Sequence, residues 1–85
     1  MIYVLAEVGR NIRNVMGSNF QLGKYKHYKG MMCEVLEIAK HSETLEEMVL
    51  YKELDSGSLW VRPLKMFIET VEVNGKQVPR FEYIG

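Results

Sequence analysis

Asn74-Gly75 stands between two runs of strand-forming residues, Thr70–Val73 and Gln77–Ile84. A two-residue Asn-Gly connection selects a type I′ turn, whose twist matches that of the antiparallel strands it joins. A hairpin placed this firmly constrains everything before it, because a two-stranded ribbon cannot bury a face alone. From Gly23 onward the chain breaks into short strand-like runs separated by turn signals. Lys24–Lys29 alternates basic and aromatic residues and stops at Gly30, and Met31–Ala39 is an apolar run long enough for a strongly bent strand. Residues 41–46 lead to a third strand, Glu47–Leu54, and Asp55-Ser56-Gly57-Ser58 is a plain turn. Leu59–Arg62 is a short strand closed by Pro63, followed by a single helical turn through Phe67. Pro79 lacks a backbone donor, so the last run is an edge or carries a bulge there.

Short strands in hairpin order expose one apolar face and two edges unless the sheet curls on itself. The expected fold is therefore mainly β: a small SH3-like β-barrel of five to six short strands over residues 22–85. Residues 1–20 form an extension. In it Val4, Val8, Ile12 and Val15 recur at three- and four-residue spacing, which predicts an N-terminal helix ending at Met16 before Gly17-Ser18-Asn19. Gly9 weakens that helix, and Met1–Tyr3 suits a strand equally well. An exposed stripe of this kind is a liability, so it is expected to pack on the barrel or on a second subunit.

A chain of 85 residues is one domain with a small core. Its 47% hydrophobic and 26% charged residues are ordinary for a soluble globular chain. Cys33 is the single cysteine, which excludes an intrachain disulfide and fits a reducing, cytoplasmic setting. The apolar patch at the N-terminus is too short to span a membrane and has no basic segment before it, so no membrane association is expected. Net charge is zero but uneven: residues 1–30 carry five basic side chains against Glu7, and residues 31–60 carry Lys40 and Lys52 against seven acids. These regions either face one another or form a patch for an anion. Five positive charges fall short of a nucleic-acid footprint, and nucleic acid is not an expected partner.

The runs GKYKHYKG (23–30), HSET (41–44), WVRPLKMF (60–67) and VPRFEYI (78–84) together resemble an uncharacterised bacterial and phage family, the domain of unknown function sixteen-fifty-three. The resemblance covers roughly residues 22–84 and implies a compact module that is often a whole small protein. It implies no activity and no catalytic residues. Cys33 stands where family members usually carry an aromatic, and the loop DSGS at 55–58 lacks a Tyr-Gly-containing segment associated with the family.

His41-Ser42-Glu43-Thr44 reads first as a turn closed by its hydroxyls, and second as part of a binding rim. Catalysis by His41 and Glu43 would need a nucleophile, a base and an orienting group converging in a pocket, which neighbouring loop residues rarely provide. His27 and Tyr28 point to opposite faces; Tyr28 is assigned to the core and His27 to the outer face with Tyr25. His27, His41 and Cys33 make a poor metal set, and no metal or cofactor is expected. Trp60 and Arg62 share one strand face, with Leu59 and Val61 taken as the core face. Arg62 then either pairs with an acid such as Glu43 or Glu82, or forms with Trp60 a stacking platform and donor fork for a planar, anionic ligand. Phe81 and Tyr83 are expected to be buried, and the six methionines to fill the core.

These readings converge on a non-catalytic binding module. Its expected site is Trp60, Arg62, His27, Tyr25, His41 and Glu43, holding a small anionic, ring-bearing, nucleotide-like ligand. A phage-borne member would act by sequestering such a signal. The alternatives are a protein-interaction domain that grips a peptide or forms a homo-oligomer, through its edge strand or residues 1–16, and a small hydrolase. Deleting residues 1–16 is expected to lower the melting temperature or dissociate an oligomer, read by thermal denaturation and by mass in solution.

Overall fold

The structure is a computed structural model that describes residues 11–15 and 17–85. Its elements in chain order are β1 (Ile12–Val15), β2 (Ser18–Gln21), β3 (Gly23–His27), β4 (Met32–Lys40), β5 (Glu47–Glu53), β6 (Leu59–Pro63), the helical turn α1 (Leu64–Phe67), β7 (Thr70–Val73), β8 (Lys76–Pro79) and β9 (Phe81–Tyr83). The fold is mainly β, as the turn spacing requires. Five strands form one antiparallel sheet in the order β6-β5-β4-β3-β9, and β1-β2 and β7-β8 are separate two-stranded hairpins.

The N-terminal helix is corrected where the structure describes it. Ile12 and Val15, two of the four residues in the proposed stripe, lie in β1, while Val4 and Val8 fall outside the described residues. Gly17, read as a helix cap, instead lies at φ +77° in the connection between the paired residues Val15 and Ser18. β-Branched residues at 12 and 15 suit a strand as well as a helix, and pairing with β2 decides between them. Arg13 fixes this hairpin to the main sheet with a two-pronged ion pair: Nε and Nη2 donate to the Glu37 carboxylate at 2.6 and 2.8 Å. The basic N-terminal third and the acidic middle of the chain thus meet, at this point, within the molecule.

The SH3-like barrel is also corrected: the described strands do not close. β6 and β9 remain the edges of the sheet, with no backbone ladder between them. Side chains fill the space that ladder would have bridged. The chain leaves β6 at Pro63 and turns into α1, which sends the fully buried Leu64 and Phe67 onto the sheet's inner face. The Phe67 ring stacks on Phe81 of β9 at 4.1 Å with the planes 3° apart, and meets Tyr25 edge-on at 5.2 Å. Phe20, Cys33, Val35, Val49 and Tyr51 complete the core. Arg62 on β6 lies 5.7 Å from the Phe81 ring centroid, so the sheet coils until its two edge strands face each other through side chains. An aromatic wedge takes the place of a closing ladder.

Several local readings hold. Asn74 and Gly75 both have positive φ, +52° and +79°, as a type I′ turn demands, and Val73 pairs with Lys76 across them. β4 bends where its register with β5 shifts between Val35 and Glu37. The run Gln77–Ile84 does not continue as one strand, because Arg80 divides β8 from β9. None of the described methionines joins the buried core, and Met31 and Met66 are exposed. Phe81 is buried as expected, whereas Tyr83 is exposed at the sheet edge.

Phe67→Ala is expected to cost about 3–5 kcal/mol, the usual loss for emptying a buried aromatic site. That is a large share of the roughly 5–15 kcal/mol that holds a small domain together. Urea denaturation of wild type and variant measures it through the shift in midpoint, and Phe67→Leu should retain part of the loss.

Candidate functional site

Residues that pair directly across an antiparallel sheet share a face, so the register alone assembles the site. Tyr83, Tyr25, Cys33 and Glu53 form one row across β9, β3, β4 and β5. Val35, Tyr51 and Trp60 form the next, and Val49 with Arg62 the one after. Phe81 and His27 pair on the same face. These rows lie on the inner face, where coiling of the sheet leaves a hollow of about 210 Å³ open to solvent. His27, Cys33, Tyr51, Trp60, Arg62 and Phe81 line it, together with Glu53, Met31 and Met32.

This geometry reassigns β6. Leu59 and Val61, taken as core, are exposed at 61% and 62% on the outer face, while Trp60 and Arg62 lie on the inner one. Trp60 is still 52% exposed, because it stands at the open edge of the hollow. Arg62 forms no salt bridge among the described residues; the pairings with Glu43 or Glu82 weighed from the sequence are not made, and its guanidinium faces the Phe81 ring instead. A flat cation beside an exposed indole, with no carboxylate neutralising it, can stack on a planar ring and hold an anion with a fork of donors.

His27 joins this face, and Tyr28 is the residue exposed to solvent, the reverse of the expected assignment. The imidazole sits edge-on to Phe81 at 4.9 Å, and its Nδ1 accepts the backbone N–H of Lys29 at 3.1 Å. Burial, aided by the positive charges of Arg62, Arg80 and Lys29, holds its pKa below the ordinary 6.5. The ring is therefore neutral at pH 7, with its proton on Nε2. Tyr25 is core rather than rim: it is buried, its hydroxyl donates to the Gln21 carbonyl at 2.7 Å, and burial followed by the nearby Tyr83 and Cys33 pushes its pKa up to about 12. Burial, then the charge of Glu53, likewise raises the Cys33 thiol to about 11, which keeps it protonated and a poor nucleophile.

His41 and Glu43 lie on the β4–β5 connection, beyond the opposite end of β4 from Cys33, and neither lines the hollow. The structure does not bring them together with Trp60 and Arg62. His41 instead closes its own turn. Its Nδ1 accepts the backbone N–H groups of Glu43 and Thr44 at 3.2 and 3.3 Å, and its main chain exchanges bonds with Leu45 and Glu46, each 2.8 Å. Thr44 Oγ1 accepts the Glu46 N–H at 3.2 Å, as expected of a turn hydroxyl. Among the described residues no three His, Cys, Asp or Glu side chains gather as a metal site would require.

Sequence reasoning missed Tyr51, Glu53, Phe81, Met31, Met32 and Cys33 as lining residues. The signal that reaches them is register: once Trp60 is set on the inner face, Tyr51 opposite it and Glu53 two residues on must share that face.

A family model described as "Protein of unknown function (DUF1653)" matches residues 23–83, which carry every residue lining the hollow. The crystal structure of a DUF1653 protein from Bordetella bronchiseptica is similar to this chain, with 36% identity and a TM-score of 0.72 over 78% of this chain and 88% of that one. No curated protein matches.

Stability should depend on pH through His27. Its folded pKa is depressed, so below pH 6.5 the unfolded chain binds a proton that the folded chain resists. The stabilisation is present in full above 6.5 and is lost as the pH falls through the window between 6.5 and the lower folded value. Urea midpoints measured from pH 7.5 to 5 should fall more steeply in wild type than in His27→Gln, and an NMR titration should find the His27 ring changing charge below 6.5.

Proposed function

The chain belongs to the DUF1653 family, and we propose that it is a non-catalytic binding module whose inner face takes a small, anionic, ring-bearing ligand. The carrying observation is the juxtaposition of Trp60 and Arg62 on one hollow with Tyr51, Phe81 and a neutral His27. Aromatic walls supply apolar and stacking contact, and Arg62 supplies a charge-assisted donor fork. The volume near 210 Å³ suits one ring system and is smaller than the roughly 300–1,000 Å³ of sites that enclose drug-sized ligands. A nucleotide-like molecule meets this description with its base in the hollow and its phosphate in solvent beside Arg62. Sequestration of such a molecule, in a bacterial or phage setting, needs no catalytic group and accords with a thiol held protonated.

A second reading has one observation in its favour. β6 is a free edge with Leu59 and Val61 exposed on its outer face, a surface suited to pairing with a peptide or a second copy. Sedimentation across a range of protein concentrations tests it, with self-association as the supporting result.

The primary reading is tested by thermal-shift and calorimetric titration with nucleoside monophosphates, using the free nucleosides and inorganic phosphate as separate controls. A ligand at a hundred times its Kd adds about 2.7 kcal/mol to stability, a readily measured shift. Arg62→Lys should weaken binding about tenfold by removing the fork while keeping the charge. Trp60→Ala should weaken it comparably with little change in the melting temperature of the free protein, whereas His41→Ala should leave affinity unchanged and loosen only its own turn, by about 0.5–1.5 kcal/mol. Unaltered affinity in both Trp60→Ala and Arg62→Lys would remove the hollow from the function.

A further inference from the structure

We infer that Glu53 makes the hollow selective for a base presenting two adjacent N–H donors, a guanine-like edge; this inference rests on the ring-and-anion reading above. Glu53 ends β5 on the inner face, opposite Cys33 and one row beyond Tyr51 and Trp60. Arg62 lies across from Val49, four residues back along β5, or roughly 13 Å at strand spacing. The hollow therefore has an acceptor pole and a donor pole with aromatic rings between them. Long side chains at both poles shorten that span toward the length of one nucleoside monophosphate.

A carboxylate accepts hydrogen bonds and donates none, and its two oxygens match two parallel donors. The Glu53 carboxylate is also held in place. Ser56 Oγ donates to its Oε1 at 2.7 Å, and the backbone of the β5–β6 turn is closed by Glu53 N–H to the Ser58 carbonyl and Gly57 N–H to the Glu53 carbonyl, at 2.9 and 2.8 Å. Oε2 carries no bond among the described residues, and Oε1 keeps a second lone pair beside its bond from Ser56, so each oxygen can take an incoming donor. Guanine offers N1–H and its exocyclic amine side by side. Hypoxanthine keeps N1–H and lacks the amine. Adenine places an acceptor beside its amine, which a carboxylate repels.

The experiment is calorimetric titration of wild type, Glu53→Gln and Ser56→Ala with GMP, IMP and AMP, with melting curves to establish that each variant is folded. Wild type should bind GMP about tenfold tighter than IMP or AMP. Glu53→Gln should bring GMP and IMP within about threefold of each other, and Ser56→Ala, which releases the carboxylate from its tether, should shrink the preference partly. If wild type binds all three equally, or if Glu53→Gln keeps the preference for GMP, Glu53 serves only the turn and the inference falls while the ring-and-anion site stands. If none of the three binds, both fall together.

Discussion

The stacked pair Phe67–Phe81 is the contact on which the architecture depends. Phe67 belongs to the turn of helix that follows one edge strand, and Phe81 opens the other edge strand, so a single ring-on-ring contact at 4.1 Å joins the two margins of a sheet that has no backbone bond between them. Around it, Tyr25, Tyr51 and Phe20 pack edge-on or tilted against Phe67, with centroids 5.2 to 5.9 Å away, and Phe20 stacks on Tyr25. The preferred aromatic geometries therefore set how tightly the sheet coils. A ladder would have fixed the edges at about 4.8 Å and erased any space between them. Rings hold them farther apart, and the hollow lies beside those rings.

Much of the strand layout was legible because turn chemistry is local. Asn74-Gly75, the helical turn after Pro63 and the bend of the fourth strand follow from residues within a few positions of each feature. Closure was not legible, because it depends on how Phe67 meets Phe81 fourteen positions away, and no local pattern reports that. The helix expected before Gly17 failed for a related reason. A valine–isoleucine stripe at three- and four-residue spacing is ambiguous when a strand partner lies just beyond the turn.

The candidate site was legible in half. Trp60 and Arg62 were identified because an aromatic beside a cation at alternate strand positions is unusual whichever way the strand faces. Which face they took was misjudged: Leu59 and Val61 are the more apolar pair, yet they face outward because the inner face at that edge is already filled by Phe67 and Phe81. The same crowding accounts for His27, which lies against Phe81, while Tyr28 leaves the strand for the following turn. His41 reads first as part of a turn and it closes one, though by its imidazole, which serves as the acceptor that a side-chain oxygen more often supplies.

The pairing of β3 with β9 carries a consequence for biosynthesis. Tyr25 and Tyr83 are direct partners although they are separated by nearly the whole described sheet in sequence, and Phe81 supplies both a wall of the hollow and half of the stack that coils the sheet. Hairpins β3–β4 and β4–β5 are local and can form as the chain emerges, but loop-closure entropy must be met before the distant strand adds its contacts. A nascent chain translated only as far as β8 has the Trp60–Arg62 strand and lacks the surface opposite it. The complete hollow thus arises in one late step, after β9 has cleared the ribosome, because Phe81 alone of its lining residues follows β8.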